Sequence, residues 1–539
     1  MRFRFAVAGI GAVFFTMTQL AACGSDGGGG FDGGTDAGGG DVTTCNATQT
    51  LCGGQCVDTS NDVYDCGACG NTCAGGEACC SGLCVQTTCA FSVTSTSPKR
   101  GNQSGGDWVD LTGQGFTPDM SVFIGNGRAP ALVIDATHAR IQTPPGPVGT
   151  TDITLVNAQG SSTTHKAFTY ISAGLDLPWQ KKPMQAVRGE HPGIAVLQDG
   201  RVLIAGGTTV PDHPEDALAT AEIFQRSQSG DTVTPAAGTM GVPRWRDAAM
   251  TMLDGRVLVV GGPSDDPSGC TGTQCTVGDL FDPVAGTFKA TAGVMAENRT
   301  FVWAVLMVDG RVMITSDASS TVEVYDPKTD SFSTIALPGV HYFGQRIVRL
   351  RDGRVMVMGG DGCGTGTCTV AQNTVDIYDP KTNAFTAAKP MNVGRTQFTA
   401  HVLPDGRVMV FGGASISAGG VNAPLDSIEA YDPTNDTWTV EPYKLSIGRT
   451  WHASALVRDG TILVMGGYTQ AGSCAPSDTV DQVDPVAGTV MSFGTLPDPN
   501  TEWNAVTMLD GSVLGVGGGA CGGNALPDLD FLPGSPAPN

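Results

Sequence analysis

Five arginines recur at a repeated offset from an Asp-Gly dipeptide, and their chemistry suggests recognition of anionic groups. They are Arg188, Arg244, Arg299, Arg395 and Arg449. A guanidinium group forms paired hydrogen bonds with a carboxylate or a sulfate, so a ring of them could select such groups on a ligand. The neighbouring Glu190, Asp247 and Glu297 could instead neutralise the arginines, which would make them part of the scaffold. The sequence leaves both alternatives open.

Aromatic and histidine side chains near the same positions extend this candidate binding surface. They are Trp245, Trp303, Tyr342, Trp451, Tyr468, Trp503, His191 and His452. Tryptophan and tyrosine are favoured at recognition surfaces, although some of these residues could pack between repeats instead. We predict no catalytic residue, no metal and no cofactor, because nothing in the chain matches a nucleophile elbow, a zinc-binding helix or a phosphate-binding loop.

A nine-residue phrase that recurs seven times would position these side chains. Its copies begin at Asp199, Asp254, Asp309, Asp352, Asp405, Asp459 and Asp510, and the first reads DGRVLIAGG. Asp-Gly between alternating apolar segments indicates a β-hairpin, because glycine tolerates the positive φ of the turn. After the Gly-Gly pair, several copies continue into Tyr-Asp-Pro and a large aromatic residue, which predicts a third and a fourth strand. Units of four short strands pack around a common axis.

With its double glycine, its Tyr-Asp-Pro and the aromatic residue that follows, the repeat resembles the kelch motif, whose period is close to 50 residues. This resemblance implies an all-β, seven-bladed kelch propeller over residues 175–533, with a short tail at 534–539. The segment around Trp179 is expected to close the ring by completing the last blade. The loops after Gly-Gly and the connections into the next blade would open on one face, where we expect ligand binding.

Some kelch-like propellers resemble galactose oxidase, so a copper radical oxidase or another carbohydrate-active enzyme is the alternative function. Such a copper site needs two histidines, two tyrosines and a cysteine joined to one tyrosine. Here Tyr325, Tyr378 and Tyr431 belong to the Tyr-Asp-Pro strands, and the propeller cysteines look paired. Because this match fails, we predict binding or adhesion rather than catalysis.

Cysteines predict disulfide bonds in two parts of the chain. Six lie after Gly-Gly pairs in the propeller, and their predicted bonds are Cys270–Cys275, Cys363–Cys368 and Cys474–Cys521. Ten more are concentrated in residues 45–89, which predicts a small disulfide-held module. Metal coordination through Cys66 and Cys69 is the alternative there, and an oxidising compartment argues against it. The run at 52–73 resembles the cysteine-rich modules of stigma-specific Stig1-like proteins.

Residues 90–171 have the alternation of an Ig-like β-sandwich, as at Val109 and Leu111, with glycine and proline turns between strands. The stretches at 97–116 and 143–160 resemble the IPT/TIG domain. In that family the domain often serves as a spacer or as an adhesive module.

The N-terminus predicts export and a lipid anchor. Residues 1–22 contain two arginines and an apolar run, and the sequence Leu-Ala-Ala before Cys23 resembles a bacterial lipobox, which implies lipidation of Cys23. Ordinary signal cleavage nearby is the alternative. Residues 23–44 are rich in glycine and aspartate and predict a flexible linker. We therefore expect the protein in the bacterial cell envelope, anchored at the outer membrane or the cell surface.

The charge balance limits the class of partner. The chain has 30 Lys and Arg against 52 Asp and Glu, a net charge of −22 at pH 7. This excess of negative charge argues against binding to the phosphates of a nucleic acid. The expected partners are a protein or glycan ligand and, through the lipid anchor, a membrane. We expect the protein to be a monomer.

Overall fold

The computed structural model describes residues 50–52, 55–57, 64–66, 68–75, 78–80, 83–85, 91–157, 160–172, 174–175, 178–211, 213–227, 229–262, 275–317, 319–362, 370–416, 422–470, 475–520 and 524–534. The chain divides into two compact units, Met1–Cys84 and Val85–Asn539. The structure confirms the all-β fold class, since the helical structure in the described residues is limited to short 3-10 turns, such as Pro214–Asp216. No helix in these ranges is long and apolar enough to span a bilayer.

The first unit is held by disulfide bonds. Its short strands pair as two ribbons, β1 (Thr50–Cys52) with β2 (Gln55–Val57) and β3 (Ala78–Cys80) with β4 (Leu83–Val85). Disulfide bonds join Cys52 to Cys69 and Cys73 to Cys84. Cys66 is also disulfide-bonded. The metal-binding alternative for Cys66 and Cys69 is therefore wrong, because both sulfur atoms already have covalent partners.

Residues 91–172 form a two-sheet sandwich, as the Ig-like prediction requires. Its strands are β5 (Ser92–Ser97), β6 (Arg100–Asn102), β7 (Trp108–Gln114), β8 (Ser121–Ile124), β9 (Gly127–Ala129), β10 (Ala131–Val133), β11 (His138–Gln142), β12 (Gly149–Asn157) and β13 (Gly160–Ile171). One sheet has the order β10-β11-β7-β5 and the other β6-β13-β12-β8-β9. Val109, Leu111, Ile153 and Leu155 pack in the core between the sheets. The alternating pattern of these residues thus gave the correct buried face.

The repeats fold into four-stranded antiparallel sheets. After β14 (Gln180–Pro183), the first sheet contains β15 (Gly193–Val196), β16 (Val202–Ala205), β17 (Ala221–Gln225) and β18 (Thr232–Pro235). The second contains β19 (Ala248–Thr251), β20 (Val257–Val260), β21 (Val277–Asp282) and β22 (Thr287–Val294). The third contains β23 (Trp303–Leu306), β24 (Val312–Thr315), β25 (Thr321–Asp326) and β26 (Ser331–Ala336).

The next repeats follow the same plan. The fourth sheet contains β27 (Arg346–Arg349), β28 (Val355–Met358), β29 (Val375–Asp379) and β30 (Ala384–Ala387). The fifth begins with β31 (Thr399–Val402) and β32 (Val408–Phe411), then a separate ribbon of β33 (Ala414–Ile416) and β34 (Asn422–Pro424) intervenes, and β35 (Ser427–Asp432) and β36 (Thr437–Lys444) complete it.

The last strands form one larger sheet, which β14 joins. They are β37 (Ala453–Leu456), β38 (Ile462–Met465), β39 (Ser477–Asp484), β40 (Thr489–Thr507), β41 (Val513–Ala520), β42 (Asn524–Ala525) and β43 (Asp528–Leu532). β14 pairs with β43, with Gln180 opposite Phe531, so the start of the repeat region completes its final sheet. β40 runs without a break from one repeat into the next. The count of seven blades therefore stays a prediction.

The repeated phrase accounts for each hairpin in physical terms. In the second repeat, Asp254 Oδ1 accepts the Arg256 backbone N–H at 3.1 Å across the turn, and the intervening Gly255 has φ 92°. The second strand of this hairpin, β20, is buried along its whole length. Its counterpart in the first repeat, β16, is followed by Gly206, where a Cβ atom would lie 2.6 Å from the Arg244 carbonyl oxygen. Glycine at that position lets neighbouring repeats approach closely.

The sandwich of residues 91–172 docks on the Asp-Gly turns. Arg140 Nη1 donates to Gln198 Oε1 at 2.8 Å, and Arg128 N donates to the Arg351 carbonyl oxygen at 2.6 Å. Trp108 packs in the same apolar cluster as residues of the second and third repeats. The sandwich thus covers the turn end of the repeat region, and its role as a spacer or adhesive module stays a prediction.

Candidate functional site

The loops after Gly-Gly and the connections into the inner strands lie on one face. Backbone bridges join them in three repeats, Gly189 with Thr208, Thr396 with Ala414, and Thr450 with Tyr468. We call this end the loop face. It lies opposite the Asp-Gly turns, because each second strand runs from its turn towards the loop face.

The five arginines of the loop face are interior residues with carboxylate partners. Arg395 shows the pattern: its side chain is fully buried, Nη2 lies 2.6 Å from Glu429 Oε1, and Nη1 donates to the Gly412 carbonyl oxygen at 2.7 Å. The corresponding N–O distances are 3.0 Å for Arg188–Glu222, 2.6 Å for Arg244–Asp279, 3.4 Å for Arg299–Glu323 and 3.0 Å for Arg449–Asp481. Each pair joins the connection that carries the arginine to the third strand of the same sheet.

This geometry corrects the prediction of a ligand-facing guanidinium ring at Arg188, Arg244, Arg299, Arg395 and Arg449. As folded, these side chains expose at most 1% of their surface. The structure therefore favours the alternative in which these arginines belong to the scaffold, although most of their carboxylate partners differ from the expected ones. Glu297 does lie 2.9 Å from Arg299, whereas Arg188 and Arg244 pair with acids of the third strand. The sequence carried that signal, because an acid recurs two residues before the aromatic residue of the third strand, as at Glu429 and Tyr431.

Two repeats replace the arginine. His341 takes its place in the fourth repeat, where Nε2 lies 2.8 Å from Asp376 Oδ2 and Nδ1 lies 3.1 Å from the Gly359 carbonyl oxygen. Asn500 takes it in the last repeat and donates to the Gly517 carbonyl oxygen. Burial raises the pKa of Asp530, the acid of that repeat, to about 7.

Aromatic rings gather around the axis at the loop face. Phe301, Phe343 and Trp451 lie in mutual contact, with ring centroids 5.0 to 5.5 Å apart. His191 lies 5.3 Å from the ring of Trp451 and 6.0 Å from that of Trp303. We call these five residues the axial aromatic cluster. Phe301, Trp303 and Phe343 keep part of their surface accessible.

Two guanidinium groups stack on these rings. Arg246 lies 3.9 Å from the ring centroid of Phe301 and 4.0 Å from that of Trp245. Arg346 lies 3.9 Å from the ring of Trp303. Burial lowers the pKa of Arg346 to about 9, so its side chain is still charged at neutral pH. Cations held on aromatic faces are fixed in orientation, which prepares the surface for a ligand.

A belt of backbone hydrogen bonds supports the cluster by linking successive repeats around the axis. The N···O distances are 3.4 Å for Arg246 to Glu190, 3.2 Å for Val302 to Arg246, 2.9 Å for Gln397 to Gly344, 3.2 Å for Trp451 to Gln397, 3.0 Å for Glu502 to Trp451 and 3.1 Å for His191 to Glu502. The last of these bonds joins the final repeat to the first. Phe301, Trp451 and Arg246 have φ values of 47°, 55° and 55°, which non-glycine residues rarely adopt. The belt holds them in that conformation.

The remaining predicted residues fall into two groups. Trp303, Tyr342 and Tyr468 are half-buried, and Trp245, Trp451 and His191 are 6 to 9% exposed, in or beside the axial aromatic cluster. Their binding role stays a prediction. Trp503 and His452 are corrected, because Trp503 packs in an apolar core and His452 Nε2 lies 2.9 Å from Thr399 Oγ1 inside the fold.

Sequence reasoning missed Phe301, Phe343, Arg246 and Arg346. The first three follow the repeated arginine, or the histidine that replaces it, by two residues. An alignment of the repeats on that offset would have found them. Arg346 has no such signal.

The hydroxyl groups of the three Tyr-Asp-Pro tyrosines are engaged in turns rather than placed as copper ligands. Tyr325, Tyr378 and Tyr431 donate their hydroxyl groups to a turn residue five positions on, at 2.7 to 2.9 Å. Among the described residues, potential ligand clusters of His, Cys, Asp and Glu occur at Cys66, Cys73 and Cys84, which are disulfide-bonded, and around His213.

The propeller disulfides lie mostly outside the described residues. Cys275 is disulfide-bonded, as predicted for one half of the Cys270–Cys275 pair, but Cys270 lies in an undescribed segment. Cys363–Cys368 and Cys474–Cys521 also lie outside the described ranges. These pairings stay predictions.

Three family models match parts of the chain. The IPT/TIG domain matches residues 92–170, the Stigma-specific STIG1-like protein family matches 35–88, and the Kelch motif matches 395–444. The chain contains a kelch motif. All three resemblances inferred from the sequence are thereby confirmed, in the order along the chain that was predicted.

Relatives extend the kelch likeness over part of the chain. Beta-scruin of Limulus polyphemus is 24% identical over 291 residues, which cover 50% of this chain and 29% of that protein. F-box protein AFR of Arabidopsis thaliana is 32% identical over 123 residues, which cover 23% of this chain and 29% of that protein. The chain thus spans less than a third of the length of these relatives.

Two solved structures are also similar. YjhT has 15% sequence identity and a TM-score of 0.43, with coverage of 58% of this chain and 98% of that one. A fungal alcohol oxidase of the AA5 family, in complex with copper, has 18% identity and a TM-score of 0.38, with coverage of 80% and 76%.

Proposed function

We propose that this protein is a binding or adhesion protein that recognises a protein or a glycan through the loop face of a seven-bladed kelch propeller. The observation that supports this most is the axial aromatic cluster with Arg246 and Arg346 stacked on it. Aromatic rings and oriented guanidinium groups are the side chains that dominate recognition surfaces. The belt of backbone hydrogen bonds includes Arg246, Trp451 and His191 directly.

The chemistry of the cluster suits a ligand with both an apolar and a polar face. The accessible parts of Phe301, Trp303 and Phe343 can stack on a sugar ring or on a peptide side chain. Arg246 lies 3.0 Å from Glu190 and 3.8 Å from Glu502, whose side chain is 20% exposed, so this ion-pair group presents both donors and acceptors to ligand hydroxyl or amide groups. Both chemistries are expected of a glycan or protein partner, whereas a nucleic acid is disfavoured by the net charge of −22.

The N-terminal segment gives the proposed setting. Lipid attached at Cys23 would anchor the protein to a membrane, and the linker at 23–44 would hold the folded units away from the lipid surface. In this proposal the protein works as a monomer in the bacterial cell envelope.

A test compares two tryptophan variants of the mature chain. Trp303→Ala removes a ring from the axial aromatic cluster, while the control Trp438→Ala removes an outer-strand tryptophan whose indole N–H bonds to the Lys389 carbonyl oxygen. Binding is measured on a glycan array and by cross-linking to purified envelope proteins. We expect a loss of about tenfold or more in affinity for Trp303→Ala, corresponding to a lost aromatic contact, and no loss for the control.

Equal binding by the two variants would contradict the proposal. The copper oxidase alternative has its own readout: stoichiometric copper in the purified protein together with alcohol-dependent peroxide production would support it over binding.

A further inference from the structure

A cavity lies on the axis at the end opposite the axial aromatic cluster. It has a volume of about 440 Å³ and is bordered on the turn side by residues of two loops of the IPT/TIG sandwich, within 102–106 and 142–145. We call it the axial cavity. Its walls are the inner strands β15, β19, β27, β31 and β37 and the end of β40, which contribute mainly Ala, Val, Ile, Leu and Met. A space of this size admits a small organic ion together with several water molecules.

Among the described residues that line the cavity, the one with a charged side chain is Arg349. Its Nη1 donates to the Leu306 carbonyl oxygen, and its Nη2 lies 3.5 Å from Gln142 Oε1 on the sandwich. In the described part of the chain no carboxylate pairs with it. The remaining N–H groups of the guanidinium are available towards the cavity.

Within the described part of the chain, the charge of Arg349 is therefore not balanced by a carboxylate. Burial lowers its pKa to about 10, with no acidic group to offset the effect, so the side chain is protonated at neutral pH. A partly buried charge without a counter-charge is destabilising, and proteins normally supply one. The five repeat arginines at the loop face each have a carboxylate partner, whereas Arg349, like Arg346, has none within ion-pair distance among the described residues.

The cavity wall also carries neutral polar groups, which can form hydrogen bonds to an anion but cannot balance the positive charge of the guanidinium. His401 Nε2 lies 2.7 Å from Ser454 Oγ, and burial lowers the pKa of His401 to about 4, so the imidazole is neutral at pH 7. Ser104 Oγ on the sandwich loop is buried without a hydrogen-bond partner in the described structure. A hydroxyl and an imidazole N–H are suitable donors for the oxygen atoms of an anion.

We propose that the axial cavity is a binding site for a small oxyanion, a carboxylate, sulfate or phosphate, which Arg349 holds as its counter-ion. The flat guanidinium group matches such ions through two parallel hydrogen bonds. Because both the sandwich loops and the inner strands line the cavity, the bound ion also links the sandwich to the repeat region. The site is independent of the loop face and of its proposed ligand.

The test titrates the mature chain with sodium sulfate, phosphate or acetate, at ionic strength held constant with sodium chloride. Thermal unfolding and hydrogen exchange are followed after overnight equilibration. We expect a saturable rise in unfolding temperature with at least one ion, and slower exchange at residues 102–106 and 142–145, because a ligand of the folded state stabilises it by mass action.

Three variants make the result specific. Arg349→Met removes the charge while filling the space, and it should weaken the apparent affinity by about tenfold or more. Arg349→Lys keeps the charge without the paired geometry and should bind with intermediate affinity. The control Arg354→Met removes a partly exposed arginine just before the next strand, whose Nε lies 2.7 Å from Asp352 Oδ2, and should titrate like the wild type.

Two results would overturn the proposal. One is a titration with no saturable response to any of the three ions. The other is an equal response in the wild type and in Arg349→Met, which would assign the effect to general salt action. If Arg349→Met does not fold, the comparison of Arg349→Lys with Arg354→Met decides in the same way.

Discussion

Replacing Arg395 by methionine tests whether the repeat arginines are structural. The side chain is fully buried, and methionine has a similar length without the charge. The change leaves Glu429 in the interior with three donors, the Asn392 backbone and side chain and the Val393 backbone, at 2.7 to 3.1 Å. It also removes the donor of the Gly412 carbonyl oxygen.

The expected cost follows from these contacts. Removing one partner of a buried ion pair typically costs about 3–5 kcal/mol, because the other charge stays buried. The three donors that remain on Glu429 place the expectation at the lower end, about 3 kcal/mol. The matched control is Arg407→Met, since Arg407 forms a 2.8 Å pair with Asp405 while about a third of its side chain is exposed. Pairs of that kind contribute less than about 1 kcal/mol.

Urea denaturation followed by tryptophan fluorescence measures both variants. A third variant carries Arg395→Met together with Glu429→Met, which replaces both charges by apolar groups. It should recover at least half of the stability lost in the single variant. The reasoning is refuted if Arg395→Met costs no more than Arg407→Met, or if the double variant is less stable than Arg395→Met.

Three further outcomes are expected. Burial raises the pKa of Asp107 to about 7, so the folded state holds a proton that the unfolded state releases between about pH 4 and pH 7, and stability falls as the pH rises through that window. Asp107→Asn should lose less thermal stability than the wild type between pH 5 and pH 8. A Cβ atom at Gly515 would lie 2.2 Å from Trp503 Cζ3, so Gly515→Ala should cost about 1–3 kcal/mol in urea denaturation, and an unchanged midpoint would argue against this packing. Non-reducing peptide mapping should recover Cys275 linked to Cys270, and a free Cys275 thiol would contradict the disulfide bond.

The loop face shows which features a repeat pattern can predict and which it cannot. The recurring arginines are recognisable in the sequence, because their offset from Asp-Gly is constant. Their role cannot be predicted in the same way, because a guanidinium exposed on a rim and one buried against a third-strand acid share the same sequence. Phe301 and Phe343 were overlooked, since isolated aromatic residues resemble core residues until the chain brings them together at the axis.

The strands, the hairpins and the alternating core of the sandwich are predictable from local sequence. They depend on neighbours a few residues apart, through turn geometry and the period of apolar side chains. The docking of the sandwich on the turn end and the position of Arg349 at the wall of the axial cavity follow only from the packing of distant segments. That packing also decides which arginines carry a partner. Each of these features joins residues far apart in the chain, and burial of a charge is a property of the packed fold rather than of any local pattern.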